Sequence, residues 1–268
     1  MSVDWYEFRG FDRERVQAAR AAFLGYFPDG GRILDVGAGR GEFLSAASEA
    51  GFRAEGLDSD RKAVAAAVES GLRVVHADAH DFLLTHPGEF DGVFCSHLIE
   101  HLSPTGAKRL IAAVAKALTP EGVLCVVTPN PGSMATITHE FWRDPSHVRP
   151  YDLEALEFLC ISVGLEIVDS GRNPDSELGL PIDPDDLRLN ALEPEPDRPP
   201  AGQSRLAGWV ANQFRESRMA RELQAVIHRQ RMQIERLEQN VALLSNSVRR
   251  LVEVLYEPSE VFVVARKP

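Results

Sequence analysis

Residues 32–44 constrain the fold of this chain more than any other stretch, because an apolar run there enters a turn with three glycines and continues into a helical pattern. Such a turn lets the backbone approach a nucleoside ligand closely and points free N–H groups at it. The glycines are Gly37, Gly39 and Gly41, and Asp35 stands where a carboxylate could face a cation. No Gly-Lys-Ser/Thr follows, which excludes a triphosphate-binding loop. The spacing Asp-x-Gly-x-Gly-x-Gly also differs from the dinucleotide fingerprint.

Short apolar strands alternate with helical segments through the first 170 residues. Helical patterns occupy residues 61–70, 107–118 and 154–164. This alternation predicts parallel strands joined by right-handed crossovers, and the nearly continuous apolar strands predict a sheet covered on both faces. After the first strand, the predicted strands are 54–57, 72–75, 91–95, 122–128, 166–169 and 260–267.

The glycine motif resembles the first motif of class I methyltransferases that depend on S-adenosyl-L-methionine (SAM). The resemblance implies a Rossmann-like α/β fold with a seven-stranded sheet, whose last strand is antiparallel, and SAM as cofactor. Asp58, about twenty residues past the glycines, is expected to accept hydrogen bonds from the ribose hydroxyls. Asp78 is expected to contact the adenine amino group, with Ala79 and His80 beside the base. The other implied cofactor residues are Asp35, Gly37, Gly39 and Gly41.

The N-terminal segment completes the expected cofactor site. Arg9 and Tyr6 are expected to fold over the cofactor, as an N-terminal helix does in many relatives. The alternative is that Tyr6 and its neighbours Trp5 and Phe8 only pack on the sheet edge. The first residues lack the basic-then-apolar pattern of a signal peptide, so we expect a cytoplasmic protein.

Charge and cysteine content narrow the class of protein. The net charge of −11 argues against a general nucleic-acid-binding role, because phosphate contacts require Lys and Arg. No window has enough consecutive apolar residues to cross a membrane. Cys95, Cys125 and Cys160 lie inside apolar segments, which predicts core packing in a reducing compartment.

The C-terminal half contains two further predicted segments. Residues 171–203 are rich in Pro and Asp and predict an extended linker. Residues 204–256 contain an apolar heptad repeat, and its β-branched a positions with Leu at d predict a parallel two-stranded coiled coil, hence a homodimer. Gln230 is the one polar d position, and the alternative is a long amphipathic helix lying on its own catalytic domain. The linker and coil would be an insertion between the sixth and the last strand. The predicted methyltransferase domain therefore comprises residues 1–170 and 257–268. The a positions are Ile227, Ile234, Val241, Val248 and Leu255, and the d positions are Leu223, Gln230, Leu237, Leu244 and Leu251.

Two polar clusters follow strands four and five, at the carboxyl ends where ligands bind in open α/β sheets. The first contains His97, Glu100 and His101, whose spacing places them on one face of a helical turn. The second lies on the loop after strand five and includes His147 and Arg149. A loop with so many polar groups is costly unless it packs against a polar ligand or a partner network.

The chain carries a set of short motifs at Phe8-Arg9-Gly10 and at residues 39–44, 99–102, 128–131, 144–150 and 265–267. In these motifs it resembles a narrower family, the SAM-dependent methyltransferases of bacterial polysaccharide gene clusters, which cap or decorate O-antigen-type glycans. His97 departs from that family, which usually has Gln or another residue there. His97, Glu100, His101 and His147 also resemble the ligands of metal-dependent relatives that methylate RNA 3′ ends or quinone-ring hydroxyls. A bound Zn²⁺ or similar ion is therefore the alternative to the metal-free site that we expect.

The resemblance implies in-line attack by an acceptor oxygen on the sulfonium methyl group. A hydroxyl acceptor must lose its proton, which suits an imidazole at neutral pH, so His101 and His147 are the first candidates for the base and His97 the next. Glu100 is expected to orient the acceptor. A phosphate acceptor needs no base, and Arg149 would then clamp the anion. The expected function is O-methylation of a bacterial glycan. The alternatives are methylation of a quinone or natural-product hydroxyl, and a non-catalytic SAM-fold scaffold that acts through its coil.

Overall fold

The computed structural model describes residues 12–176, 218–255 and 257–268. These residues fall in two compact units, one containing the sheet and the other most of a long helix, and each is described by itself. The predicted cofactor residues Arg9 and Tyr6, and residues 177–203 of the predicted linker, lie outside the described residues.

The first unit is built on a seven-stranded sheet in the order β3-β2-β1-β4-β5-β7-β6. The first five strands in the chain run parallel, and β7 pairs antiparallel with both β5 and β6. The predicted fold class, a Rossmann-like methyltransferase sheet with an antiparallel last strand, is confirmed. The strands are β1 (Arg32–Val36), β2 (Arg53–Asp58), β3 (Val74–His76), β4 (Phe90–Ser96), β5 (Leu118–Pro129), β6 (Glu166–Arg172) and β7 (Glu260–Arg266).

Helices connect the strands and cover both faces of the sheet. Most of them begin at a residue whose side chain accepts a hydrogen bond from a backbone N–H of the first turn, as Asp60, Ser103 and Asp152 do. The α-helices of the first unit are α1 (Arg13–Ala21), α2 (Glu42–Glu49), α3 (Arg61–Glu69), α4 (Ala79–Leu84), α5 (Pro104–Ala117) and α6 (Leu153–Ile161), and α7 (Arg218–Leu255) belongs mostly to the second unit.

The core lies on both sides of the sheet because successive strand residues point to opposite faces. Leu34 and Val36 belong to one buried cluster, whereas Ile33 belongs to the other. The three cysteines are buried free thiols, as their apolar surroundings predict. The continuous apolar strands of the sequence therefore reflect burial on two faces.

The last strand determines where the C-terminal residues meet the site. β7 inserts between β5 and β6, and its first residue, Glu260, is in register with Pro129 at the carboxyl end of β5. Asn173, just past β6, donates its backbone N–H to Glu260 O at 3.0 Å. A residue more than a hundred positions downstream of β5 is thus placed at the edge where ligands bind.

The second unit contributes helix α7, which spans 38 residues. Most of its apolar heptad side chains are solvent-exposed in the single chain, among them Ile234, Leu237 and Leu244, while Val241 is half-buried. Within the described residues, we find no helix with the length and apolarity that a membrane span requires.

Candidate active site

The glycine turn after β1 is held over the end of β2. Gly37 and Ala38 both donate backbone N–H groups to Leu57 O, at 2.9 and 3.0 Å. Gly39 N–H donates to Asp58 Oδ2 at 2.9 Å. Asp58, the predicted ribose ligand, therefore also fixes the turn that would approach the cofactor.

Gly41 has a structural role in this turn. Its φ of +84° is left-handed, and a Cβ there would lie 2.3 Å from Leu72 Cδ1. It precedes helix α2 directly. Gly37 and Gly39 line the cavity, whereas Gly41 is absent from the lining formed by residues within the described ranges. The third glycine is thus required by backbone conformation and by packing against Leu72.

A carboxylate lies beneath the turn, as predicted. Asp35 is buried and lines the cavity. Burial raises its pKa well above the usual range, and the charges of Asp58 and Glu42 raise it further, while Arg20 opposes them. A cationic ligand would relieve this repulsion, so a sulfonium cofactor fits the charge of the site. The close backbone and the carboxylates together match what SAM requires.

Asp78 and Ala79 lie at the start of helix α4, on the β3 side of the glycine turn. Asp78 caps the helix, since its Oδ1 accepts the N–H of Asp81 at 3.0 Å. Neither Asp78 nor Ala79 is among the described residues that line the cavity. Their contacts with adenine remain a prediction.

A cavity of about 540 Å³ joins the glycine turn to both polar clusters. Its lining includes Asp35 and Gly37 at one end and His97, His101 and His147 at the other. Cofactor and acceptor groups can therefore meet in one cavity. A volume of this size is typical of small-molecule sites.

His97 is held between two carboxylates. Its Nε2 lies 2.6 Å from Glu260 Oε1, and its Nδ1 lies 3.2 Å from Glu100 Oε1. Burial lowers the pKa of His97, but the hydrogen bonds and charges of Glu100 and Glu260 outweigh burial and raise the pKa to about 9. The ring is an imidazolium at neutral pH with neither nitrogen free. These contacts disfavour the predicted roles of His97 as a base or a metal ligand.

Glu260 is a site residue that the sequence analysis missed. Its carboxylate accepts hydrogen bonds from Arg20 at 2.7 and 2.9 Å and from Asn173 Nδ2 at 2.8 Å. Burial would raise its pKa, but Arg20 and His97 hold the pKa well below the usual range. The sequence offers no local signal, since Glu260 merely opens an apolar strand.

Glu100 connects the two polar clusters. Its side chain is fully buried, and Thr128 Oγ1 donates to its Oε2 at 3.0 Å. Its backbone carbonyl accepts the N–H groups of Val148 and Arg149 at 2.8 and 3.2 Å. Burial raises the pKa of Glu100, but His97 lowers the pKa more, so it falls below the usual value. Glu100 therefore anchors the loop after β5 and pairs with His97.

His101 and His147 lie side by side in the cavity lining, with ring centroids 4.7 Å apart. His147 Nδ1 lies 2.6 Å from Phe141 O, and His101 Nδ1 lies 3.0 Å from Ser146 Oγ. Each ring engages the protein through Nδ1, which leaves its Nε2 for a ligand. One ligand atom from each of Glu100, His101 and His147 can be chosen so that all three lie within 4.8 Å of one another. The predicted fourth member of a metal set, His97, is paired with Glu100 and Glu260.

Arg149 does not occupy the position that the anion-clamp prediction requires. Its guanidinium carbon lies 4.8 Å from the ring centroid of Tyr151, in a cation–π contact. The cavity lining formed by the described residues does not include it. This position disfavours Arg149 as the clamp, whose role with a phosphate acceptor stays a prediction. The arginines that do line the cavity are Arg15, Arg20, Arg40 and Arg143.

The family profile described as "Methyltransferase domain" matches residues 8–170. The chain belongs to this methyltransferase family. The prediction of a methyltransferase is thereby confirmed, and SAM stays the predicted cofactor. The chain is 37% identical over 107 residues to a protein of Aromatoleum aromaticum named ubiquinone biosynthesis O-methyltransferase, and the match covers 38% of this chain and 45% of that relative. The chain thus spans less than half the length of that relative.

Solved methyltransferase structures share the fold. A SAM dependent methyltransferase from Archaeoglobus fulgidus superposes with a TM-score of 0.68 at 22% identity, covering 98% of this chain and 100% of the other. Phosphoethanolamine N-methyltransferase 2 of Haemonchus contortus, solved with S-adenosyl-L-methionine, gives a TM-score of 0.54 at 20% identity, covering 94% of this chain and 52% of the other. At these identities the likeness shows the fold alone.

Proposed function

We propose that this methyltransferase transfers the methyl group of SAM to a hydroxyl oxygen of an acceptor bound in the 540 Å³ cavity. The observation that carries the proposal is the pair His101 and His147, each held through Nδ1 and without a hydrogen bond to Nε2 from the described residues, in a cavity that also contains the glycine turn. A hydroxyl oxygen attacks well only when its proton is removed, and an imidazole does this near neutral pH.

Each part of the site has a separate task in this reaction. SAM, when bound, supplies an electrophilic methyl group. Gly37 and Gly39 let the backbone approach it, Asp58 is placed for its ribose, and Asp35 favours its positive charge. The acceptor oxygen lines up with the methyl carbon while His101 or His147 takes the proton, and holding the reacting groups in line lowers the barrier.

A small-molecule phenol or quinone-ring hydroxyl is the acceptor that we favour. Relatives at 37% and 35% identity are named ubiquinone biosynthesis O-methyltransferase. The cavity volume also fits a small molecule.

A bacterial glycan hydroxyl is the second candidate. The motif Asp144-Pro-Ser-His-Val-Arg-Pro, one of those on which the resemblance to glycan-modifying enzymes rests, forms the wall that carries His147. The same base would serve a sugar hydroxyl, so the chemistry is unchanged and the acceptor alone differs.

A direct methylation assay distinguishes these acceptors. The full chain is incubated with methyl-labelled SAM and either a short-chain prenylated catechol or a lipid-linked oligosaccharide extract. Label in the catechol supports the first candidate, and label in the glycan fraction alone supports the second. SAM binding by calorimetry without transfer to either would support the non-catalytic scaffold and contradict the proposal.

Substitution of the two histidines tests the chemistry. We expect His101→Ala or His147→Ala to lower kcat by about a hundredfold while SAM binding is retained, because base removal affects proton transfer and not the glycine turn. His139→Ala is the control, since His139 is exposed and outside the cavity lining formed by the described residues. Chelation should leave turnover unchanged. Loss of turnover that a divalent cation restores would contradict the metal-free mechanism.

We also propose that helix α7 pairs with a second copy of itself. Its exposed a and d side chains, apart from Gln230, form an apolar stripe that is unfavourable in water, and the heptad pattern suits a two-stranded coil.

A further inference from the structure

Two polar side chains, Ser146 and Asp144, form a hydrogen-bonded chain with His101. Ser146 Oγ lies 3.0 Å from His101 Nδ1 and 2.5 Å from Asp144 Oδ1. Ser146 N–H also donates to Asp144 Oδ1 at 2.8 Å. Asp144 and His101 line the cavity, and Ser146 bridges them without being part of the lining formed by the described residues. The turn that contains Asp144 and Ser146 thus reaches the ring of a residue 45 positions earlier.

The direction of each hydrogen bond follows from the groups involved. Burial raises the pKa of Asp144, but the hydroxyl and amide hydrogen bonds of Ser146 and the neighbouring histidines lower it below its usual value. The carboxylate is therefore ionised at neutral pH and can only accept. The Ser146 hydroxyl must donate its hydrogen to Asp144, so Ser146 Oγ accepts from His101 Nδ1–H.

This arrangement distinguishes His101 from His147. His147 Nδ1–H donates to a backbone carbonyl, which is neutral. His101 Nδ1–H donates to a hydroxyl that is already polarised by a carboxylate, so a positive charge that forms on His101 is stabilised through Ser146. Both rings have Nε2 as the acceptor atom, but His101 alone of the two is coupled to an anion in this way.

We infer that Ser146 and Asp144 are positioning residues that hold His101 with its proton on Nδ1, which makes His101 Nε2 the base of the methyl transfer. The inference rests on the proposed function and specifies which histidine acts. The acceptor O–H bond breaks as its proton moves to His101 Nε2, the oxygen forms a bond to the methyl carbon, and the carbon–sulfur bond breaks to release S-adenosylhomocysteine. The imidazolium then loses the proton to solvent.

The charged groups around His101 come from two segments. Glu100 lies beside it in the Ile99–His101 turn, and Asp144 and His147 face it from the loop after β5. The positive charge of His97 balances the negative charge of Glu100. The Asp144 carboxylate is therefore the anion that acts on His101, through the Ser146 hydroxyl.

The first experiment observes the proton directly and needs no acceptor. Long-range ¹H–¹⁵N spectra of histidine-labelled free enzyme at neutral to alkaline pH should show His101 protonated at Nδ1, assigned by the signal lost in His101→Asn. In Ser146→Ala we expect a substantial shift toward the Nε2-protonated form. His147 should be unaffected and serves as the internal control. Nε2 protonation of His101 in the wild-type enzyme would overturn the inference.

The second experiment measures turnover on whichever acceptor the assay above identifies. We expect Ser146→Ala and Asp144→Asn to lower kcat by about tenfold, with KM for SAM unchanged, since a preorganised polar contact to the base is lost. Ser146→Thr keeps a hydroxyl and should retain most of the rate. Ser162→Ala, which deletes a hydroxyl bond to Leu159 O at the end of α6, is the control for non-specific loss.

The two proposals fail in different ways. An active wild-type enzyme with unchanged kcat in Ser146→Ala would overturn the inference alone. An enzyme that methylates neither acceptor class would overturn the proposed function, while the tautomer of His101 would still be observed in the spectra.

Discussion

At the scale of single residues, Gly56 in β2 governs the glycine turn although it lies outside the motif. A Cβ at Gly56 would lie 2.7 Å from both Ala38 Cβ and Leu44 Cδ1. We expect Gly56→Ala to push the turn away from β2, to weaken SAM binding by about tenfold, and to lower the unfolding free energy by about 2 kcal/mol. Calorimetry with SAM and urea unfolding measure the two effects. Gly25→Ala is the matched control, because a Cβ there meets no atom within 4 Å.

The imidazolium of His97 predicts a pH dependence of stability. Its folded-state pKa of about 9 lies above the unfolded value of 6.5, so its contribution is fully present below pH 6.5 and is lost as pH rises through 9. We expect the difference in unfolding free energy between wild type and His97→Gln to shrink by about 1 kcal/mol over that window, since a side chain that is 38% exposed is partly screened. His139→Gln, at an exposed position, should show no such trend. A pH-independent difference would contradict the ion pairs.

Single residues also show where sequence reasoning succeeds and fails. Gly37, Gly39 and Asp58 were predictable because a turn that must approach a ligand restricts the residue types locally. Arg149 was assigned a ligand role from its charge alone, yet it stacks on Tyr151. The roles of Ser146 and Asp144 depend on a ring 45 positions away, and no local pattern encodes that distance.

At the scale of elements, helix α7 carries the prediction of self-association. If it forms a coiled coil, the full chain should sediment at twice the 29.6 kDa of one chain. Leu237→Glu places a charge at a d position and should shift the protein to monomer, because a buried unpaired charge is costly. Met232→Glu lies on the opposite face of the heptad and is the control. A wild-type monomer at micromolar concentration would contradict the coil, and circular dichroism checks that the helix persists in both variants.

The strands show why element boundaries were predicted less well than element types. The apolar run predicted β5 at residues 122–128, but the strand extends over Leu118–Pro129. Pairing with Glu260 of β7 adds Pro129 at one end, and pairing of Leu118 with Phe90 of β4 extends the other end beyond the apolar pattern. The antiparallel last strand followed from the family resemblance, whereas the register that brings Glu260 to the site did not.

At the scale of the whole molecule, one buried charge cluster joins distant parts of the chain. Glu260 of β7 binds Arg20 of α1, His97 after β4 and Asn173 after β6. The side chains of Arg20 and Glu260 are 11% and 9% exposed, so their charges are largely removed from water. Such a cluster is expected to be expensive to break, because removal of one charge leaves its partners buried without compensation.

Glu260→Gln tests whether this cluster holds the site and the fold together. We expect the unfolding free energy to fall by about 3 kcal/mol, since Arg20 and His97 lose a shared anion. Glu257→Gln removes a nearby pair with the half-exposed Arg172 and should cost about 0.5 kcal/mol. Urea unfolding at pH 7 compares the two.

Because the pKa of Glu260 is depressed, its contribution is present above the unfolded value of 4.5 and is lost as pH falls through the folded value, so the two variants should converge in acid. Equal losses at pH 7 would show that the last strand is held by its backbone pairing alone.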